Sequence, residues 1–149
     1  MKKNYFLSHE AVSVREAVAL KELLEKHGDG KFFVSSDWHS IPSGKHPHIA
    51  IEEALKISDE MLVLITRIEA FKNPWINYEV GWIRGRERSP AIIISGGIPL
   101  DKELTGLPLG YRQITGNWDT NRMDQDMRKF GVQDYEKIKV DIAKILKQA

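Results

Sequence analysis

The sequence predicts an α/β domain with a flavodoxin-like, three-layer architecture, in which a five-stranded parallel sheet of order 2-1-3-4-5 carries helices on both faces. Short apolar runs alternate with segments of helical periodicity, which favours parallel strands joined by crossover helices. One run, residues 61–65, is apolar throughout, as is typical of a central parallel strand. With 149 residues and 42% hydrophobic composition, the chain is expected to form one domain over residues 1–149.

The first half of the chain contains three predicted strands and two predicted helices. The strands are apolar runs bounded by polar or turn residues, and the helices bring their apolar residues to one face. Gly28 supplies a helix stop, and residues 36–45 form a long loop rich in turn residues. The predicted segments are strands at residues 5–7, 31–35 and 61–65, and helices at residues 10–27 and 47–57.

The second half opens with a clear helix signal. Asn73 is a favourable N-cap, Pro74 suits the first helical position, and basic residues at 84–88 suit the C-terminal end. The other predicted segments are a fourth strand at residues 90–95, a fifth strand at residues 111–115 and a last helix at residues 135–147, while residues 119–133 are ambiguous.

Composition argues against several classes of function. The 22 basic and 21 acidic side chains leave a net charge of +1 without a basic stripe, so nucleic-acid binding is not expected. The chain has no cysteine, and His46 and His48 lack further ligands at suitable spacing, so no metal site is predicted. No stretch has the pattern of a secretory h-region or a membrane span, and we expect a cytoplasmic protein that does not bind membranes.

Chemistry is expected beyond the carboxyl ends of the strands, near the point where the strand order reverses. The predicted third helix places Trp75 and Glu79 one turn apart on one face, flanked by Tyr78 and Trp82. A carboxylate among aromatic rings can stabilise positive charge, and a neighbouring ring can stack on a flat base or a pyridinium. The alternative is that the aromatic residues pack in the core and Glu79 is a solvated residue at the helix edge. The spacing alone does not decide between the two.

Four stretches, taken in order, resemble the Toll/interleukin-1 receptor (TIR) family. They are residues 6–9, the loop at 36–45 with its Pro-Ser-Gly, the helix at 49–58 that ends in Ala-Leu-Lys-Ile-Ser-Asp, and residues 74–79. The resemblance runs from about residue 3 to residue 95. Each motif is weak alone, whereas their order and spacing are specific.

The resemblance implies a set of site residues. Glu79 matches the glutamate on which NAD⁺ cleavage by enzymatic TIR domains depends, and Trp75 matches the aromatic residue one turn earlier. The first strand ends in a segment that lines the nicotinamide-ribose pocket in the family, and the BB loop gates that pocket and contacts a neighbouring protomer. The matching substrate-binding residues are Phe6, Ser8 and His9 in the strand segment and Trp38, Ser43, Gly44 and Lys45 in the loop.

This sequence departs from the family pattern at two positions. His9 stands where many relatives have tyrosine or another aromatic residue, and Glu10 stands where several carry a basic residue that could approach phosphate. The phosphate contacts are therefore open, with Lys45, Arg67 or a residue of a second chain as candidates.

The function implied by the resemblance is cleavage of NAD⁺, as substrate and without a further cofactor, into nicotinamide and either ADP-ribose or a cyclic isomer. A small TIR chain resembles bacterial anti-phage (Thoeris-like) proteins, whose product is a signal for a separate effector protein. Self-association through the BB-type loop would complete the site. Two alternatives stay open: a non-catalytic TIR adaptor, and a nucleoside deoxyribosyltransferase-like enzyme, which also sets a glutamate near glycine, as Glu79 and Gly81 are here.

Overall fold

The computed structural model describes residues 2–35, 47–94 and 120–147, and its centre is a parallel sheet. The described sheet has four strands in the order β2-β1-β3-β4. This arrangement confirms the predicted α/β fold class and the predicted order of the first four strands. The predicted fifth strand at 111–115 lies outside the described residues. The strands are β1 (Lys3–Ser8), β2 (Gly30–Val34), β3 (Glu60–Ile65) and β4 (Ala91–Ile94).

The described residues contain five α-helices, and three of them are crossover helices that follow strands. Their bounds are α1 (Val14–His27), α2 (Pro47–Ile57), α3 (Pro74–Gly85), α4 (Thr120–Arg128) and α5 (Lys139–Lys147). The bounds of α2 match the prediction. The first helix begins four residues later than predicted because Ala11–Ser13 forms a separate 3₁₀ turn, in which the Ser13 amide donates to the Glu10 carbonyl at 2.9 Å. The ambiguous segment contains α4.

The hydrophobic core lies in two layers, one on each face of the sheet. Alternate residues of a strand point to opposite faces, so Tyr5 and Leu7 contribute to one layer while Phe6 contributes to the other. Helices α1 and α5 cover the first layer through residues such as Leu20 and Ile142. The second layer is covered by α2 and α3. This three-layer packing agrees with the predicted helices on both faces of the sheet.

The amino edge of the sheet, where the strands begin, is closed by tight packing. The Tyr5 ring packs edge-on against Phe130, with ring centroids 5.0 Å apart, and its hydroxyl donates to Asp29. A Cβ at Gly28 would lie 2.7 Å from the carbonyl oxygen of Leu24 and closer still to that of Phe130. Gly131 has a φ of +77°, a left-handed conformation that favours glycine. The described part of this edge is therefore closely packed around Tyr5, Gly28 and Gly131.

Helix α3 has an open outer face near its end. A Cβ at Gly81 or Gly85 would meet no atom within 4 Å. Glycine weakens a helix interior by about 1 kcal/mol relative to alanine. The packing seen in the structure does not require glycine at either position.

The sequence predicts neither a membrane-spanning segment nor a metal site, and the structure tests both predictions only for the residues that it describes. Among residues 2–35, 47–94 and 120–147, no helix combines the length and apolar character that a bilayer crossing demands. Within the same ranges, no three histidine, aspartate or glutamate side chains are grouped as metal ligands would be. The absence of a metal site in the whole chain stays a prediction.

Candidate active site at the carboxyl edge of the sheet

The carboxyl ends of β1 and β2 bring two serines beside the side chain of α3's only carboxylate. Ser8 is the last residue of β1, and its Oγ donates a 2.6 Å hydrogen bond to Oε1 of Glu79. Ser35 directly follows β2, and its hydroxyl also donates to Glu79. The Ser35 amide donates to the Leu7 carbonyl at 3.4 Å, which holds the two serines side by side. Three segments distant in sequence thus meet at one carboxylate.

Helix α3 buries Glu79 because its inward face is set by aliphatic residues on either side. Ile76, Val80 and Ile83 are buried against the sheet, and Glu79 lies on the same face with 1% of its surface exposed. The helix begins as predicted: Oδ1 of Asn73 accepts from the backbone amides of Trp75 and Ile76 at 2.9 and 3.1 Å. The local N-cap fixes where the helix starts, and the core fixes its rotation.

Burial dominates the electrostatics of Glu79. Loss of water around the carboxylate disfavours its charged form and raises its pKa to about 7, while the hydrogen bonds from Ser8 and Ser35 oppose that rise. Both of these partners are neutral hydroxyls. A cation placed beside this carboxylate would interact with it strongly, because neither serine hydroxyl neutralises its negative charge.

The loops after β1 and β3 are tied together next to the site. The Arg67 guanidinium donates to both carboxylate oxygens of Glu10, at 2.7 and 2.9 Å, and thereby lowers the pKa of that carboxyl group. Nδ2 of Asn73 lies 3.5 Å from Glu10 as well. The hydroxyls of Ser13 and Thr66 form a second link of 2.5 Å. These contacts hold the end of β1 against the start of α3.

The pairing of Glu10 with Arg67 bears on the phosphate contacts that the sequence left open. Arg67 is half-exposed, whereas only 7% of the Glu10 side chain is accessible. A phosphate bound by this arginine would have to compete with a bidentate carboxylate. The acidic residue at position 10, where several relatives carry a basic one, is thus neutralised by Arg67.

The aromatic residues of α3 lie at the margin of the core: Tyr78 and Trp82 pack against its second layer, and Trp75 is mostly exposed. Trp75 is 54% exposed, and Tyr78 and Trp82 are half-buried, whereas Glu79 is almost fully buried. The alternative interpretation is therefore wrong about Glu79, which is not solvated, and about Trp75, which is not in the core. The helix is rotated so that the apolar stripe of Ile76, Val80 and Ile83, and not the aromatic stripe, faces the sheet.

The other predicted site residues have different placements. Phe6 is fully buried and stacks on Phe33 with centroids 5.5 Å apart, which favours a packing role. His9 is 3% exposed, and its Nδ1 donates to the Glu10 carbonyl at 2.6 Å. The predicted BB-loop residues Trp38, Ser43, Gly44 and Lys45 lie outside the described residues.

The sequence alone does not point to the contact between Ser35 and Glu79, because Ser35 lies in the predicted second strand without any distinguishing motif. The signal that could have found it is strand register. Leu7 pairs with Val34 in the parallel ladder, so the residues after them, Ser8 and Ser35, are neighbours at the carboxyl edge. That register is a property of the paired strands and is not encoded in either strand alone.

Comparison with known proteins yields a structural likeness without a sequence relative. No family model and no characterised protein matches the sequence. Among solved structures, the TIR domains of the activated Roq1 resistosome, which directly recognises the pathogen effector XopQ, align with a TM-score of 0.54 and 15% identity. The alignment covers 99% of this chain and 96% of that chain. At this identity the likeness shows the fold, and this chain therefore has the fold of a TIR domain.

Proposed function

We propose that this chain is an NAD⁺-cleaving TIR domain in which Glu79 is the catalytic carboxylate. One observation carries the proposal: the side chain of Glu79 is buried at the carboxyl edge of the sheet, hydrogen-bonded to Ser8 at 2.6 Å, one helical turn from the exposed ring of Trp75. A desolvated anion beside an accessible aromatic ring suits a substrate whose reacting part is a flat cation.

The reaction breaks the bond between C1′ of the ribose and the pyridinium nitrogen of nicotinamide. The bonding electron pair goes to the nitrogen, which leaves as neutral nicotinamide, so the leaving group requires no proton. The ribosyl group becomes an oxocarbenium-like cation, and the Glu79 carboxylate stabilises it. Water then attacks C1′ and releases a proton to give ADP-ribose. Attack by an adenine nitrogen or a ribose hydroxyl of the same molecule gives a cyclic isomer instead.

The pKa of Glu79 fits this role in a specific way. At about 7, the carboxyl group is partly protonated near neutral pH when the site is empty. A bound pyridinium adds a positive charge nearby, favours the ionised form and lowers that pKa. Substrate binding and ionisation of Glu79 then support each other. The ionised Glu79 then stabilises the positive charge that develops on the ribose as the bond breaks.

Assembly is the second part of the proposal. The aligned TIR domains belong to a resistosome, which is an assembly, and the predicted BB-type loop of this chain would contact a second copy. Self-association would bring a neighbouring protomer to the edge of the sheet where Glu79 lies. The product, ADP-ribose or a cyclic isomer, would act as an anti-phage signal read by a separate effector protein.

The test is liquid chromatography of NAD⁺ incubated with concentrated wild-type protein, Glu79→Gln and Glu79→Ala, with folding checked by circular dichroism. Glu69→Gln, which changes an exposed carboxylate just before α3, is the matched control. We expect nicotinamide release by the wild type and the control, and a loss of about 10³-fold in the Glu79 variants.

Two results would replace the proposal. Intact NAD⁺ in every folded and assembled sample would favour the adaptor function. Cleavage of deoxynucleosides but not of NAD⁺ in a substrate panel would favour the deoxyribosyltransferase-like alternative. The companion product peak separates linear from cyclic ADP-ribose if nicotinamide is released.

A further inference from the structure

We infer that Glu52 of α2 is a positioning residue of this site, which holds His48 and Tyr78 and, through these two rings, orients the exposed indole of Trp75 for stacking on the substrate's base. The identity of that base rests on the proposed function. The orientation of the ring does not, since it follows from contacts between α2 and α3.

The first step of the argument is a shared hydrogen-bond acceptor. The Tyr78 hydroxyl donates to Oε1 of Glu52 at 3.0 Å. Nε2 of His48 lies 2.9 Å from the same oxygen. His48 and Glu52 are four residues apart on α2, so they lie on one face of that helix. One carboxylate oxygen therefore links α2 to α3 and fixes two rings at once.

The second step is the geometry of the three rings. His48 and Tyr78 lie nearly parallel, with an interplanar angle of 29° and centroids 5.9 Å apart. The Trp75 indole stands edge-on to both, at 63° to His48 and 88° to Tyr78, with centroid distances of 5.9 and 6.0 Å. Edge-to-face contacts of this kind are favourable and directional. They fix the plane of the Trp75 indole, although this ring is not buried in the core.

The third step is exposure. Trp75 is 54% exposed, and the side chains of His48 and Glu52 are 43% and 34% exposed. Polar contacts at such exposure contribute little to the stability of the fold because water competes for them. These contacts order the exposed indole of Trp75 but add little to the stability of the fold. We therefore assign them to ligand binding by that indole. A pre-oriented ring avoids the entropy that a mobile ring would lose on binding.

The experiment uses a protein in which Trp38, Trp82 and Trp118 are replaced by Phe, so that Trp75 is the only tryptophan. Time-resolved fluorescence anisotropy then reports the motion of its ring. In Glu52→Ala we expect the amplitude of the nanosecond depolarisation to rise about twofold. In the otherwise unchanged protein, the same substitution should raise the KM for NAD⁺ about three- to tenfold and leave kcat within about twofold.

Two matched variants separate positioning from general damage. Glu53→Ala removes the exposed neighbouring carboxylate of α2 and should leave both readouts unchanged. Glu52→Gln keeps an oxygen where Oε1 stands and should restore both readouts to within about twofold of the wild type, since an amide oxygen also accepts hydrogen bonds. Unchanged anisotropy in Glu52→Ala, or an equal effect of Glu53→Ala, would overturn the inference.

The anisotropy measurement requires no substrate, so its result is independent of the proposed function. A wild-type protein that leaves NAD⁺ intact while Glu52→Ala still mobilises the ring would overturn the proposed function alone. A fall in kcat at constant KM would overturn the positioning of a binding surface. Isothermal titration of NAD⁺ into Glu79→Gln, with and without Trp75→Ala and with Trp38 intact in both, tests the stacking itself, and equal affinities would contradict it.

Discussion

The two edges of the sheet differ in how their polar groups are satisfied. At the amino edge, Ser58 donates to the Ala54 carbonyl at 2.6 Å and the Asn4 amide donates to Asp59 at 3.1 Å, so polar groups complete the ends of neighbouring elements. At the carboxyl edge, a carboxylate is buried against two hydroxyls and its pKa rises to about 7. One edge is optimised for folding, whereas the other retains an unfavourable charge. Binding sites are commonly built at such a cost to stability.

The largest effect expected from this contrast is a gain in stability when the buried acid is removed. Glu79 has a higher pKa in the folded protein than its ordinary value of 4.5, so its contribution favours folding at low pH and is lost as the pH rises from 4.5 through about 7. Glu79→Gln should remove this loss. Urea denaturation at pH 8 should therefore show a free energy of unfolding higher by up to about 3 kcal/mol.

The matched measurement for that variant is the same denaturation at pH 5. There the wild type and Glu79→Gln should differ much less, because the wild-type carboxyl group is mostly protonated in the folded state. All other titrating groups are common to both proteins and cancel in the difference. An equal difference at the two pH values would contradict the raised pKa.

The next effect belongs to the amino edge and has the opposite sign. Gly28→Ala forces a Cβ against the backbone carbonyls of Leu24 and Phe130, which cannot retreat cheaply. We expect a loss of about 2 kcal/mol in the free energy of unfolding, with kcat per folded molecule unchanged. Gly85→Ala is the control, since its Cβ meets no atom within 4 Å. A large fall in kcat for folded Gly28→Ala would contradict the claim that the amino edge contributes to stability but not to catalysis.

The smallest effect concerns the hydroxyl that touches Glu79. Ser8→Ala removes a hydrogen bond that lowers the pKa of Glu79, so that pKa should rise further, by about one unit. Since the ionised acid is the active form, the rate of NAD⁺ cleavage at pH 7 should fall about fivefold and recover near pH 9. Ser58→Ala changes a buried serine of the other edge and should not move the midpoint of the pH profile. A profile with the wild-type midpoint in Ser8→Ala would contradict the assignment.

The sequence predicted the elements that local chemistry determines. Asn73 and Pro74 specify the start of α3 within a single turn, and the observed cap has the expected hydrogen bonds. The continuous apolar run of β3 identified it as a central strand, which the sheet order confirms. Cap chemistry and strand composition act over a few residues, so one sequence suffices to read them.

Long-range pairing limited what the sequence could predict of the site. The rotation of α3 depends on how Ile76 and Val80 compete with Trp75 and Tyr78 for the sheet, and periodicity alone fits both outcomes. Contacts between Ser8 and Glu79 bridge 71 residues. Their formation requires the whole β1-β3-α3 arrangement. The sequence could therefore name Ser8 and Glu79 as candidates, but it could not show that they are buried together and hydrogen-bonded.

The open outer face of α3 has a practical consequence for observing the protein at work. The chain contains no cysteine, so Gly85→Cys would create a unique thiol in a place where a side chain meets no atom within 4 Å. Gly85 lies six residues beyond Glu79 on the same helix, a rise of about 9 Å. A spin label or fluorophore attached there would travel with the helix that bears the buried acid. Distances between labels on different copies would then map the assembled state directly.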